Sequence, residues 1–168
     1  MKKILTQALL KSLVSYNPEN GEFRWLISRG GSAKAGCIAG TVDKITGYKH
    51  ISVCQKRYKA HRLAFLWMNG FLPPDDMDVD HVNHIKSDNS FNNLRIVTTS
   101  VNSQNRISAR EDSATGIIGV GIDRRTGKWR ARIQVGDKRI YLGSYDEESL
   151  ASSAYLAAKR QFHEGNTL

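Results

Sequence analysis

Cysteine, acidic side chains and long apolar runs are all scarce in this 168-residue sequence, and each scarcity removes a class of protein. Only Cys37 and Cys54 are present, and they form no CxxC pair. That excludes a thiolate zinc site and a disulfide scaffold, and two free thiols suit a reducing compartment. Met1, Lys2 and Lys3 before Ile4 and Leu5 look like the start of a signal peptide, but Thr6, Gln7 and Lys11 break the apolar run. No stretch reaches membrane-spanning length, so no membrane partner and a cytoplasmic site of action are expected.

The shortage of acid is the most informative of the three. Sixteen Asp and Glu stand against 25 Lys and Arg, for a net charge of +9. Such an excess attracts a polyanion. Residues 1–60 carry eleven Lys and Arg against three Asp and Glu, and residues 106–168 carry eleven against eight. The centre, 61–105, reverses the sign with three against five, including Asp75, Asp76, Asp78, Asp80 and Asp88. An acidic island between basic arms makes sense for a polyanion binder if a cation sits between the carboxylates and a phosphate.

Taken in order, Leu5, Ala8, Leu9 and Leu13 predict a short helix from Lys2 to about Val14, then a turn over Tyr16–Gly21 and a strand over Glu22–Leu26. A glycine-punctuated segment with Arg29, Lys34, Lys44 and Lys49 could follow a phosphate backbone. Tyr48–Val53 and Arg57–Ala60 read as a hairpin. A helix from His61 carries Leu63, Ala64, Leu66 and Trp67, and stops at Asn69 and Gly70. His61, at its start, reads as a packing or capping residue.

The densest chemistry lies in Asp80–Asn102, DHVNHIKSDNSFNNLRIVTTSVN. Met77–His81 should be a strand whose alternation breaks at its end, so that Asp80 and His81 serve one centre. Asp80 offers a hard oxygen to a magnesium-like ion, and His81 can take a proton from water near neutral pH. Metal and base together suit phosphodiester hydrolysis. Val82–Asn93 forms an amide-rich loop pinned by Asn93, Leu94–Val97 is a second strand, and Thr98 or Thr99 caps a helix over about Ser100–Ile107 that places Asn102 in its first turn, facing the metal. Arg95 would assist the phosphate or support the loop.

These residues resemble a known family. The order DH, then NNL with an arginine and VT, then an asparagine within SVNSQNR, resembles the HNH homing endonucleases of phage and intron origin, as does the preceding KRYKAHRLAFLWMNGFLPP. The resemblance implies a ββα-metal core, with His81 as general base, Asp80 and Asn102 as ligands of one Mg2+ or Mn2+ per chain, and Asn93 as the structural middle asparagine. Where that branch usually reads DHxDGN, this chain has DHVNH, so Asn83 and His84 replace an acidic residue and a glycine.

Beyond a polar linker at 108–116, three strand-like runs, Ile117–Ile122, Lys128–Val135 and Arg139–Leu142, precede a helix capped by Asp146 whose apolar face runs from Leu150 to Phe162. The free sheet face should present Arg124, Arg125, Lys128, Arg130, Arg132, Lys138 and Arg139, suited to a DNA groove. GVGIDRRTGKWRARI, RIYLGSYD and ASSAYLAAK, within about Ser113–Gly165, resemble the Apetala-2/ethylene-response-factor DNA-binding domain. Gly121 and Asp123 stand where plant members carry arginine, which implies DNA contacts by Arg124, Arg125, Lys128, Arg130, Arg132, Arg139 and Tyr141 instead.

The expected fold is α+β: an HNH core (61–107) preceded by a small β-rich basic region (1–60), a linker at 108–116, and a three-stranded antiparallel sheet on one helix (117–168). The expected activity is metal-dependent endonucleolytic hydrolysis of double-stranded DNA, nicking or double-strand cleaving, with a monomer favoured and an oligomer left open. The competing expectation is a non-catalytic, sequence-specific DNA-binding regulator that keeps a degenerate core.

Overall fold

A computed structural model describes residues 4–31, 33–109 and 113–167, which form two compact units meeting between Thr98 and Thr99. The expected helix start at Lys2 and the middle of the expected linker, 110–112, lie outside the described residues. The molecule mixes short helices with small antiparallel sheets.

In the first unit the opening helix α1 runs over Gln7–Leu13, later than predicted, because Thr6 is its cap: the Thr6 hydroxyl accepts from the Leu9 amide at 3.2 Å. Val14 is not its last residue. It begins a strand β1 (Val14–Asn17) that pairs antiparallel with β2 (Glu22–Trp25), so the expected turn is shorter than Tyr16–Gly21. Phe23 and Trp25 are buried on one face of β2, and the Tyr16 ring stacks on Phe23 at 4.5 Å between centroids. The glycine-punctuated stretch includes a two-residue strand β3 (Thr41–Val42), which edges the hairpin of β4 (Lys49–Val53) and β5 (Lys56–Lys59). Cys54 and Gln55 turn this hairpin with φ of 51° and 62°, the mirror-image turn that suits strand twist.

Helix α2 (Ala60–Asn69) buries Leu63, Ala64, Phe65 and Leu66 against Leu10, Val14, Phe23, Ile51 and Val53. Gly70, at φ 84°, ends it, with its amide on the Leu66 carbonyl at 3.1 Å. Strands β6 (Met77–His81) and β7 (Leu94–Thr98) then form a two-stranded antiparallel ribbon that adds Val79 and Leu94 to the same core. A 3-10 turn at Phe91–Asn93 leads into β7.

The second unit begins with a short helix α3 (Thr99–Gln104), and continues with β8 (Val120–Ile122), β9 (Trp129–Val135), β10 (Lys138–Tyr145) and α4 (Glu148–Phe162). The sheet order is β10-β9-β8, antiparallel throughout. Ala131 and Ile133 on one face of β9 pack with Ala151, Tyr155 and Ala158 of α4. Gly119 lies so close to the Tyr155 ring that a Cβ there would fall 2.0 Å from it.

One expectation is corrected here. Asp146 does not cap α4. Glu147 holds that position without a side-chain bond, and Asp146 pairs with Lys128 at 3.0 Å. The chain after β7 is fastened to the C-terminal residues: the Gly165 amide donates to Gln104 Oε1 at 3.2 Å, Thr167 Oγ1 to Asn105 Oδ1 at 2.6 Å, and Lys159 Nζ to the Arg106 carbonyl at 2.5 Å.

Candidate active site

The β6–β7 ribbon sets the site. Val79, Asp80 and His81 are all buried, so alternate exposure stops at the end of β6. Asp80 lies opposite Arg95 in the ladder, and the guanidinium bonds it through Nε at 2.9 Å and Nη2 at 2.8 Å, both on Oδ2. The carboxylate is thereby paired with a guanidinium in a buried position.

His81, opposite Leu94, sits among rings. Its centroid is 5.1 Å from that of His61 and 5.9 Å from that of Tyr48, and Tyr48 is 5.3 Å from His61. Among the described residues its buried Nε2 has no hydrogen-bond partner. Burial lowers the His81 pKa, against the opposing influence of the Asn89 side chain, Asp80 and Asp88, while Lys86 lowers it further. The ring is therefore neutral near physiological pH, as a proton acceptor must be. His61 is more strongly affected: burial first, then the neighbouring His81, Lys59, Arg62 and His50, push it down to about 2. It is an internal neutral ring, in keeping with a packing residue.

The loop between the strands is held by amides, as its composition suggests. Asn93 Oδ1 accepts from the Asn83 amide and Asn93 Nδ2 donates to the Asp88 carbonyl, both at 2.9 Å, so one side chain ties the loop's two ends. The Val82 amide bonds the Asn93 carbonyl at 2.9 Å. Asp88 accepts from Ser90 Oγ at 2.7 Å, the Ser90 amide at 3.0 Å and Asn83 Nδ2 at 2.6 Å. Burial raises its pKa, but these bonds outweigh that and hold it below the usual carboxylate range. His84 has φ of 63°, which explains why glycine suits that position in the resembled pattern.

Sequence reading missed the outer supports. The Tyr16 hydroxyl donates to the Asn89 carbonyl at 2.7 Å, the Phe91 amide to the Pro18 carbonyl at 2.8 Å, and Gly21 approaches so closely that a Cβ would lie 2.2 Å from the Asn89 carbonyl carbon. The β1–β2 hairpin thus clamps the loop. Tyr48 was missed too, and no local motif could have linked it to residue 81. The structure brings Asp80, His81, Asn93 and Arg95 together on one ribbon and its loop. Asn102 is half-buried in α3, within the second unit. Among the described residues no group of three or more His, Cys, Asp or Glu could hold a metal ion. The expected donor set is instead one carboxylate and one amide, hard oxygens that fit magnesium or manganese better than zinc.

In the second unit, the face of the sheet opposite α4 carries Arg130, Arg132 and Gln134 on β9 with Arg139 and Tyr141 on β10, since Arg132 pairs with Tyr141 and Arg139 with Gln134. Arg130 is compensated by Asp123 at 3.2 Å, and Lys128 by Asp146. Arg132 and Arg139 make no ion pair among the described residues and are exposed, as is Tyr141. Arg124 and Arg125 lie in the β8–β9 turn, where Asp123 Oδ1 accepts from the Arg125 amide at 2.9 Å.

A solved structure of the HNH homing endonuclease I-HmuI, from work on its DNA binding and cleavage, is similar with a TM-score of 0.40 and 23% identity over 55% of this chain. The match spans 51% of that protein, about half its length. No curated protein matches the chain. Residues 58–104, the stretch that holds Asp80, His81, Asn93, Arg95 and Asn102, match the family model described as HNH endonuclease.

Proposed function

We propose that this chain is a metal-dependent DNA endonuclease of the HNH homing type, with a C-terminal sheet that grips the duplex. The observation that carries the reading is His81: a buried, neutral imidazole whose Nε2 has no partner among the described residues, next to a buried carboxylate, inside the segment that matches the HNH endonuclease family model. His81 acts as general base and takes a proton from the attacking water. Arg95 pairs with Asp80 and orients it, and Asn93 fixes the loop that carries the chain from His81 back to β7. Asp80 would hold one Mg2+ or Mn2+ per chain. Such an ion, when bound, offsets phosphate charge and stabilises the leaving oxygen.

The C-terminal sheet, in this reading an Apetala-2-like module, meets double-stranded DNA through Arg124, Arg125, Arg130, Arg132, Arg139 and Tyr141, with Arg132 and Arg139, which make no ion pair among the described residues, contributing most. Lys128, tied to Asp146, contributes least. The test is incubation of supercoiled plasmid with the full chain in magnesium, in manganese and in EDTA. Nicked or linear product with either metal and none in EDTA is expected. Intact plasmid under every metal, with DNA binding retained, would instead favour a DNA-binding regulator.

A further inference from the structure

Two lysines far apart in sequence converge on the ring beside His81. Tyr48 follows the tight turn of Asp43–Gly47, where the Asp43 amide bonds the Tyr48 carbonyl and the Gly47 amide the Asp43 carbonyl. Lys59, the residue before α2, places Nζ 4.5 Å from the Tyr48 ring centroid, and Lys86, in the loop between β6 and β7, places Nζ 5.2 Å from it. Both side chains are exposed, and neither makes an ion pair among the described residues. Their ammoniums are separated by no more than about the 10 Å screening length of 0.1 M salt, so their repulsion is felt.

An ammonium over a tyrosine face gains only ~0.5–1 kcal/mol where exposed. That would be enough to explain one such lysine. It does not explain why two like charges gather on one ring, nor why Lys86 is also held by the Thr46 carbonyl at 3.1 Å, with its methylenes against Gly47. The ring they share is in contact with His61 and His81. A singly charged, tetrahedral oxyanion within reach of both ammoniums would relieve their repulsion.

We propose that Lys59 and Lys86, gathered on Tyr48, form a phosphate clamp that seats a backbone phosphate of the DNA strand beside His81. The inference rests on the endonuclease reading and adds substrate-positioning residues to it. The clamp carries no sequence information, because phosphate contacts fix register and leave base readout to other elements. It also gives the basic N-terminal region a definite task, since Tyr48 and Lys59 both come from it.

The test uses the full chain with His81→Ala in EDTA, so that DNA is bound without being cut, and a mixed-sequence duplex as probe. Lys59→Gln and Lys86→Gln should each reduce the slope of log affinity against log salt by about 0.9. Lys11→Gln is the matched control, since Lys11 Nζ lies 4.5 Å over the Trp67 ring rather than over Tyr48. It should leave the slope unchanged. Lys86→Arg should keep the parent slope, and unfolding curves of all variants should coincide if none is misfolded. Unchanged slopes for both glutamine variants, or an equal loss for Lys11→Gln, would overturn the clamp while leaving the endonuclease reading standing. A His81→Ala parent that binds no duplex would overturn both.

Discussion

His61 shows how strongly one buried residue can couple this site to pH. Its pKa lies near 2 in the fold, against about 6.5 for an unperturbed histidine. A depressed folded pKa means that the unfolded chain binds the proton first. The stabilising contribution is therefore complete above pH 6.5 and is lost progressively as pH falls towards 2, at up to about 1.4 kcal/mol per pH unit. Urea unfolding of the parent should thus weaken between pH 7 and pH 5, and His61→Leu should flatten that dependence. A parallel decline in both would assign the pH sensitivity elsewhere. His84 offers a second test at this scale. At φ 63° a β-branched residue is disfavoured, so His84→Val should lower the unfolding free energy by about 1–2 kcal/mol, while His84→Gly is tolerated. The asparagines were the most legible residues, because amide side chains in a loop have few uses other than bonding nearby backbone. Asn93 does so at both ends of its loop. Tyr48 was illegible, since its place beside His81 depends on packing between segments more than thirty residues apart in the chain.

Among the elements, the β6–β7 ribbon and its loop carry Asp80, His81, Asn93 and Arg95, and the β1–β2 hairpin is their brace. Gly21, at φ 70°, faces the Asn89 backbone with no room for a methyl group. Gly21→Ala should destabilise the first unit by more than about 1 kcal/mol, through backbone strain and displacement of the loop, and should slow cleavage further than the stability loss explains. Denaturant midpoints and single-turnover rates on the same variant separate those effects. Strand β6 was readable to its ends, because five residues of mixed polarity sit between a proline pair and an amide-rich loop. Strand β1 was not, because Val14 and Tyr16 continue the apolar sequence of α1, and only the partner strand β2 decides where helix stops and strand begins. The helix α4 was legible from its periodicity. Its cap was not, because Asp146 is drawn instead to Lys128.

For the molecule as a whole, charge is the property most directly visible in sequence, and the structure divides it between two units. The first carries the acidic island and the ring cluster of Tyr48, His61 and His81. The second presents a sheet face on which Arg132 and Arg139 are uncompensated among the described residues. Replacing both with alanine should weaken binding to a mixed-sequence duplex and lower the salt slope by about 2, whereas Lys128→Ala should change it little. Equal effects from Lys128→Ala would show that the ion pair with Asp146 does not restrain it. The central claim concerns His81 and is tested most directly by its removal. Single-turnover cleavage of plasmid DNA, with protein in excess and binding measured in parallel, should fall by about 10²–10⁴-fold in His81→Ala at unchanged affinity. A variant that cleaves at the parent rate would contradict the assignment of His81 as the general base.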